Sequence, residues 1–290
     1  MPEDTLQAEL QQALRDAYTI TRELPRGGMS RLFVAGENAL HRVVVIKVLA
    51  PELSATLSAD RFQREIDIAA RLQHPHLVPL LSAGSAGGHV YYTMPLIDGE
   101  SLRQRMARER PMAFDDISRI LCELAGALAY AHDEGVVHRD IKPENIMFFH
   151  DRAVVLDFGI AKALMNASTG ETELPRITQA GMSLGTPTYV APEQAAGDPR
   201  LDHRADLYAL GVVAYEMITG HPPFTGRSPQ AVFEAHARTA PAPPHLRRPD
   251  VPRALEAVVM RCLAKEPAER PASGRDIVRA LEADAARRTP

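Results

Sequence analysis

Cysteine is nearly absent from this sequence: Cys122 and Cys262 are the only two in 290 residues, and neither has metal-ligand neighbours beside it. Two thiols of this kind fit a reducing, cytoplasmic compartment better than a disulfide scaffold. Long apolar runs are missing as well. No segment reaches the roughly 18 uncharged apolar residues that a membrane span needs, and the opening MPEDTLQAEL carries acids where a secretory signal needs a basic and then an apolar run. A chain without a membrane span is expected. Charge of one sign is also lacking: the formal net charge is -4, the sequence pI is near 6.3, and acids and bases are interspersed. There is no basic stripe to neutralise a nucleic-acid backbone, so no nucleic acid is expected as a partner. No internal repeat is present, which excludes a solenoid. What the chain does have is a 45% hydrophobic share and length enough for one large domain or two moderate ones around a buried core.

Hydrophobic spacing divides the chain. Leu6, Leu10, Leu14 and Ala17 recur at helical intervals and predict a short amphipathic cap helix over Leu6–Ala17. Strand-like runs follow at Tyr18–Leu24, Arg31–Ala35, His41–Leu49, Leu77–Ser82 and His89–Met94, with one helical stretch at Ala59–Leu72. After Gly99 the pattern turns helical, over Phe114–Glu134, Asp206–Thr219, Pro229–Arg238 and Pro252–Ala264. The connector Pro95–Gly99 can end a strand and turn the chain, so the boundary falls there. The expected organisation is a helical extension over 1–17, a small β-rich unit over 18–95 and a mainly helical unit over 96–290. The Pro-rich stretch TAPAPPHLRRPDVP reads as a surface loop.

Two strings carry the chemistry. His138-Arg139-Asp140-Ile141-Lys142-Pro143-Glu144-Asn145 is followed by an apolar strand, Ala153–Leu156, and then by Asp157-Phe158-Gly159. A carboxylate able to meet an acceptor hydroxyl, with an amide oxygen and a second carboxylate to hold a divalent ion against phosphates, is what phosphoryl transfer requires. Both strings resemble the protein kinase family. The resemblance implies an α+β, two-lobed protein kinase fold: a small antiparallel β-sheet lobe with one main helix, and a larger mainly α-helical lobe. It implies ATP and Mg2+, with Mn2+ as an alternative, Asp140 as the catalytic base, Lys142 reaching the γ-phosphate, and Asn145 and Asp157 as metal ligands.

Lys47 is the single charge in the apolar run Val43–Leu49, and a buried lysine needs a partner. Glu65 supplies one from the 59–72 helix, matching the family's glutamate that pairs the phosphate-binding lysine. A hairpin from Leu24 to Leu32 would cover the phosphates, with Gly27 and Gly28 letting backbone amides approach. Here the chain departs from the family, because Pro25 and Ser30 stand where it has its first and third glycines. Proline stiffens the entry to the turn, so slower or weaker nucleotide exchange is expected rather than loss of binding. For the adenine ring the resemblance implies Leu32 and Val45 above, Met147 below and Met94 behind, with the carbonyl of Pro95 and the amide of Ile97 meeting the base edge.

Gly185–Glu193 (GTPTYVAPE) matches the family's substrate-docking segment, which small-molecule phosphotransferases lack. Glu193 would pair with Arg270, and Asp206 would brace the catalytic loop. Lys142 with Thr186 is the serine/threonine pattern. The loop between Asp157 and Glu193 is rich in hydroxyls; Thr178 is expected to be the activating autophosphorylation site, its phosphate held by Arg139 and Lys162. The Gly-Gly-Met-Ser hairpin, Pro-Glu-Gln after the docking segment and Gly-His-Pro-Pro-Phe resemble the bacterial, Hanks-type branch. Proteins with Ser/Thr acceptors are the implied partners, with a homodimer for trans-autophosphorylation. Cytoplasmic residence could be that of the cytoplasmic part of a longer membrane-anchored receptor kinase. The alternatives are a pseudokinase scaffold, for which Pro25 is the support, and transfer to a small metabolite. All of these expectations require Lys47, Asp140, Asn145 and Asp157 to converge on one metal-chelated triphosphate.

Overall fold

The computed structural model describes residues 3–25, 30–49, 66–156 and 187–288. They fall into two compact units, one of residues 3–73 and 78–98, the other of 74–77, 99–156 and 187–288.

The first unit is built on a five-stranded antiparallel sheet in the order β1-β2-β3-β5-β4. Its strands are β1 Tyr18–Glu23, β2 Arg31–Glu37, β3 Arg42–Val48, β4 Ser82–Ala86 and β5 His89–Pro95. Period-two alternation sorts β3 into two faces. Val44, Ile46 and Val48 join Ile20, Phe33, Ala35 and Tyr91 in one core, which helix α1 (Glu3–Leu14) closes with Leu10 and Leu14. Gln11 fastens α1 to β1, donating to the Tyr18 carbonyl at 3.2 Å and accepting from the Ile20 amide at 2.6 Å. The helix sits three residues earlier than its leucine spacing suggests, because the Ala17 amide turns back to the Leu14 carbonyl and β1 starts at once. On the other face Tyr92 packs with Leu49, Ile66 and Ala69. Ile66 and Ala69 belong to a helical turn over 66–71, the described end of the expected 59–72 helix.

One strand is displaced from expectation. Residues 77–81 form no strand apart from a single bridge at Leu77, and β4 begins at Ser82. Pro79 has no amide to offer a ladder, whereas Gly87 and Gly88, at φ +59° and +79°, make the tight two-residue turn that pairs β4 with β5.

The second unit is mainly helical: α2 Leu102–Arg108, α3 Phe114–Asp133, α4 Pro192–Ala196, α5 Arg204–Thr219, α6 Pro229–Arg238, α7 Arg253–Cys262 and α8 Gly274–Arg288. Its described hairpin is β6 Ile146–Phe149 with β7 Arg152–Val155. Every residue of α5 from Ala205 to Ile218 is buried, so this helix is the axis of the unit rather than an amphipathic wall. The fold class is as expected: an antiparallel sheet with one part, and a mostly helical second part. Among the described residues no helix is long and apolar enough to cross a membrane.

Candidate active site

The loop that follows α3 is pinned from α5. Asp206, 1% exposed, accepts the amides of His138 and Arg139, each at 2.7 Å, and holds His132 Nε2 at 2.8 Å. Burial alone would raise the Asp206 pKa; the His132 contact and the His138 amide outweigh it and hold the carboxyl below its ordinary range. These bonds stabilise an unusual backbone, since Arg139 has φ +64°, a left-handed conformation that is costly for a residue with a Cβ. Its carbonyl is held too, by Gln194 Nε2 at 2.9 Å. His138 is fully buried, with Nε2 2.8 Å from the Leu156 carbonyl and Nδ1 accepting the Asp140 amide at 3.1 Å.

The result is a constellation of three predicted residues. Lys142 Nζ donates to Asp140 Oδ2 at 2.8 Å, and Asn145 Nδ2 donates to the same oxygen at 2.9 Å and to the Asp140 carbonyl at 2.8 Å. The turn Pro143–Asn145 closes through the Asn145 amide on the Lys142 carbonyl at 3.0 Å, which brings the three side chains together within six residues. Asn145 thus brings an amide group, whose oxygen is a hard donor of the kind a divalent metal takes, next to the Asp140 carboxylate.

Within the sheet unit, register puts four of the predicted nucleotide residues on one face. Leu32 lies opposite Lys47, Lys47 opposite Tyr92, and Val45 opposite both Val34 and Met94. Directly opposed residues share a face, so Leu32, Val45, Lys47 and Met94 all project from the side away from α1. Lys47 Nζ lies 5.7 Å from the Tyr92 ring centroid. The Leu24 amide donates to the Leu32 carbonyl at 2.8 Å and carries the β1–β2 pairing one residue further. Pro95 ends β5 and Ile97 lies in the connector after it. Met147, on β6 of the helical unit, faces Val154 in the hairpin. Gly27, Gly28, Glu65, Asp157, Lys162, Thr178 and Thr186 lie outside the described residues.

Downstream, Glu193 meets Arg270 in a two-pronged pair at 2.6 and 2.7 Å, as expected. Three features escape the sequence reading. Pro-Glu-Gln stands out there only as a family mark, yet Gln194 holds the loop carbonyl before Asp140. Helix α2 carries a readable signal: Ser101 accepts the Gln104 amide at 3.2 Å while Gln104 Oε1 accepts the Ser101 amide at 2.7 Å, a capping box written S-x-x-Q. Arg103 on that helix, which joins Glu144, Glu216 and Tyr189, has no sequence signal.

This geometry agrees with what the chain is similar to. The family model described as the protein kinase domain matches residues 18–282, and the chain belongs to that family. It is 41% identical over 275 residues to the serine/threonine-protein kinase pkn3 of Myxococcus xanthus, covering 92% of this chain and 49% of that one. It is 42% identical over 265 residues to the serine/threonine-protein kinase PknB of Mycolicibacterium smegmatis, covering 89% of this chain and 41% of that one. The chain thus spans half or less of the length of these curated relatives. The crystal structure of a mutant PknI kinase domain from Mycobacterium tuberculosis is similar at a TM-score of 0.70 and 31% identity, with 93% of this chain and 96% of that chain covered. The bacterial Hanks-type resemblance drawn from the motifs agrees with these matches.

Proposed function

We propose that this chain is a serine/threonine protein kinase that transfers the γ-phosphoryl group of Mg-ATP to protein hydroxyls. The observation that carries it is the joint hydrogen bonding of Asp140 by Lys142 and Asn145. In the proposed reaction the Asp140 carboxylate accepts the proton of the Ser or Thr hydroxyl as that oxygen bonds to the γ-phosphorus and the bond to the ADP oxygen breaks. Lys142, already 2.8 Å from Asp140, donates to the phosphoryl oxygens and keeps the acceptor, base and phosphate in register. Asn145 and Asp157 would hold Mg2+, or Mn2+ in its place, which neutralises the phosphate charge. Lys47, supported by Glu65, would bind the phosphates. Gly27 and Gly28 with Leu24 would cover them, while Leu32, Val45, Met94, Pro95, Ile97 and Met147 would take the base.

The same reading assigns a helical extension to 1–17, ATP binding to 18–95, and catalysis with substrate binding to 96–290. Thr186 would order the acceptor. Autophosphorylation would fall on Thr178, with Arg139 and Lys162 holding the phosphate and a homodimer supplying the acceptor in trans; cytoplasmic residence is part of the same proposal. Incubation with Mg-ATP, followed by intact mass, tests the reading: phosphate should add to wild type in steps of about 80 Da per hydroxyl modified and not to Asp140→Asn. Equal gain in both proteins, or none in either, would overturn it.

A further inference from the structure

Arg103 gathers three other parts of the helical unit around one guanidinium. Nε donates to Glu144 Oε1 at 2.7 Å, one terminal nitrogen donates to Glu216 Oε1 at 2.7 Å, and the other donates to the Tyr189 hydroxyl. That hydroxyl in turn donates to Glu216 Oε2 at 2.5 Å, so Arg103, Tyr189 and Glu216 close a ring of charge-assisted bonds. The ring joins α2, the turn Pro187–Tyr189 of the docking segment, and α5. Burial, and next the Glu216 charge, pushes the Tyr189 pKa well above its ordinary value, which keeps the hydroxyl a donor.

The arms are unequal. The Glu216 side chain is 7% exposed, so its pairing is made in a poorly screened setting, whereas Glu144 is 48% exposed and its pairing is weak in itself. The Glu144 arm matters for where it lands, in the turn between Lys142 and Asn145. One side chain therefore touches both the segment expected to receive the protein acceptor and the turn that presents Lys142 and Asn145. Among the described residues, Arg103 bonds to none of the side chains proposed for the nucleotide.

We propose that Arg103 is a positioning residue for the protein acceptor, holding the docking segment at Tyr189 in register with the catalytic turn at Glu144. The inference rests on the kinase reading. Without the guanidinium, Glu216 keeps only the Tyr189 hydroxyl as partner in this ring, and the three-residue turn 187–189 loses its tether to α2. The expected signature is a split between the two substrates: acceptor binding and orientation suffer while ATP binding does not.

The test is steady-state kinetics of the full chain with Mg-ATP and dephosphorylated casein, varying each substrate in turn. For Arg103→Ala the casein KM should rise about tenfold and kcat fall several-fold, with the ATP KM within about twofold of wild type. Arg103→Lys should recover part of the loss. Tyr189→Phe, which removes one oxygen and keeps the ring packed, should raise the casein KM alone. An unchanged casein KM in Arg103→Ala or in Tyr189→Phe would overturn the inference, as would a parallel rise in the ATP KM. Transfer by wild type that Asp140→Asn abolishes, together with such a null result, would leave the kinase reading standing and remove only the role of Arg103. Failure of wild type to transfer phosphate to casein or to itself would remove both.

Discussion

Arg270→Leu probes the bond network that holds Glu193 of α4 to the C-terminal half of the helical unit. Arg270 is 1% exposed and all five of its N–H groups are used. Nε donates to the Ala264 carbonyl at 2.9 Å; one terminal nitrogen serves Glu193 at 2.6 Å and the Arg204 carbonyl at 3.1 Å, the other Glu193 at 2.7 Å and the Lys265 carbonyl at 3.0 Å. Its guanidinium also lies 4.9 Å from the Tyr208 ring centroid. Leucine fills much of the space but leaves the nearly buried Glu193 carboxylate without its partner, and breaking a buried pair from one side costs about 3–5 kcal/mol. At a urea slope of about 3 kcal/mol per M the unfolding midpoint followed by far-UV circular dichroism should fall by more than about 1 M. Removing both charges separates the cost of the orphaned carboxylate from the cost of lost packing. Glu193→Leu combined with Arg270→Leu should recover about 2 kcal/mol relative to Arg270→Leu alone. A single variant within about 1 kcal/mol of wild type, or a double variant at the sum of the two single losses, would refute the reasoning.

Acid should act through His236, which is fully buried with Nδ1 2.9 Å from the Tyr208 hydroxyl, edge-on to the Phe224 ring and beside Lys265. Burial, and next the Lys265 charge, lowers its pKa from 6.5 to about 4. Between those values the unfolded chain binds the extra proton and the folded chain does not. Stability from this group is therefore complete above pH 6.5 and declines as pH falls toward 4, by about 3 kcal/mol in all. The wild-type decline should exceed that of His236→Gln in urea titrations across this range; parallel curves would remove His236 as the cause. Gly99→Ala should be severe, because a Cβ there would lie 1.9 Å from the Phe148 carbonyl oxygen, a backbone atom that cannot swing away. A loss of about 3 kcal/mol is expected, against a gain of about 0.5–1 kcal/mol for Gly126→Ala, whose Cβ would meet nothing within 4 Å on helix α3. Thermal unfolding of the two variants checks the contrast, and equal midpoints would contradict it.

Much of the molecule is legible in one dimension because the interactions concerned are local or periodic. Leucine spacing finds α1, alternation finds four of the five sheet strands, and six residues of one loop spell out Asp140, Lys142 and Asn145 together. The motif match also anticipates the Glu193–Arg270 pair and the Asp206 brace, though neither is local. β4 is misplaced because apolar content at 77–81 outweighs Pro79, while the glycine turn at 87–88 sets the register. Gln194 and Arg103 leave no trace in the spacing, since their partners lie 55 and between 41 and 113 residues away.

The sequence by itself determined which groups the proposed phosphoryl transfer draws on and which stretches become strands and helices, since composition, period and short motifs govern those. Only the tertiary structure decided that Arg139 is held left-handed by Asp206 and Gln194, and that one arginine on α2 meets both Tyr189 and Glu144. Such contacts form when packing around a buried helix such as α5 brings distant polar groups to hydrogen-bonding distance, and no local rule of chain geometry encodes them.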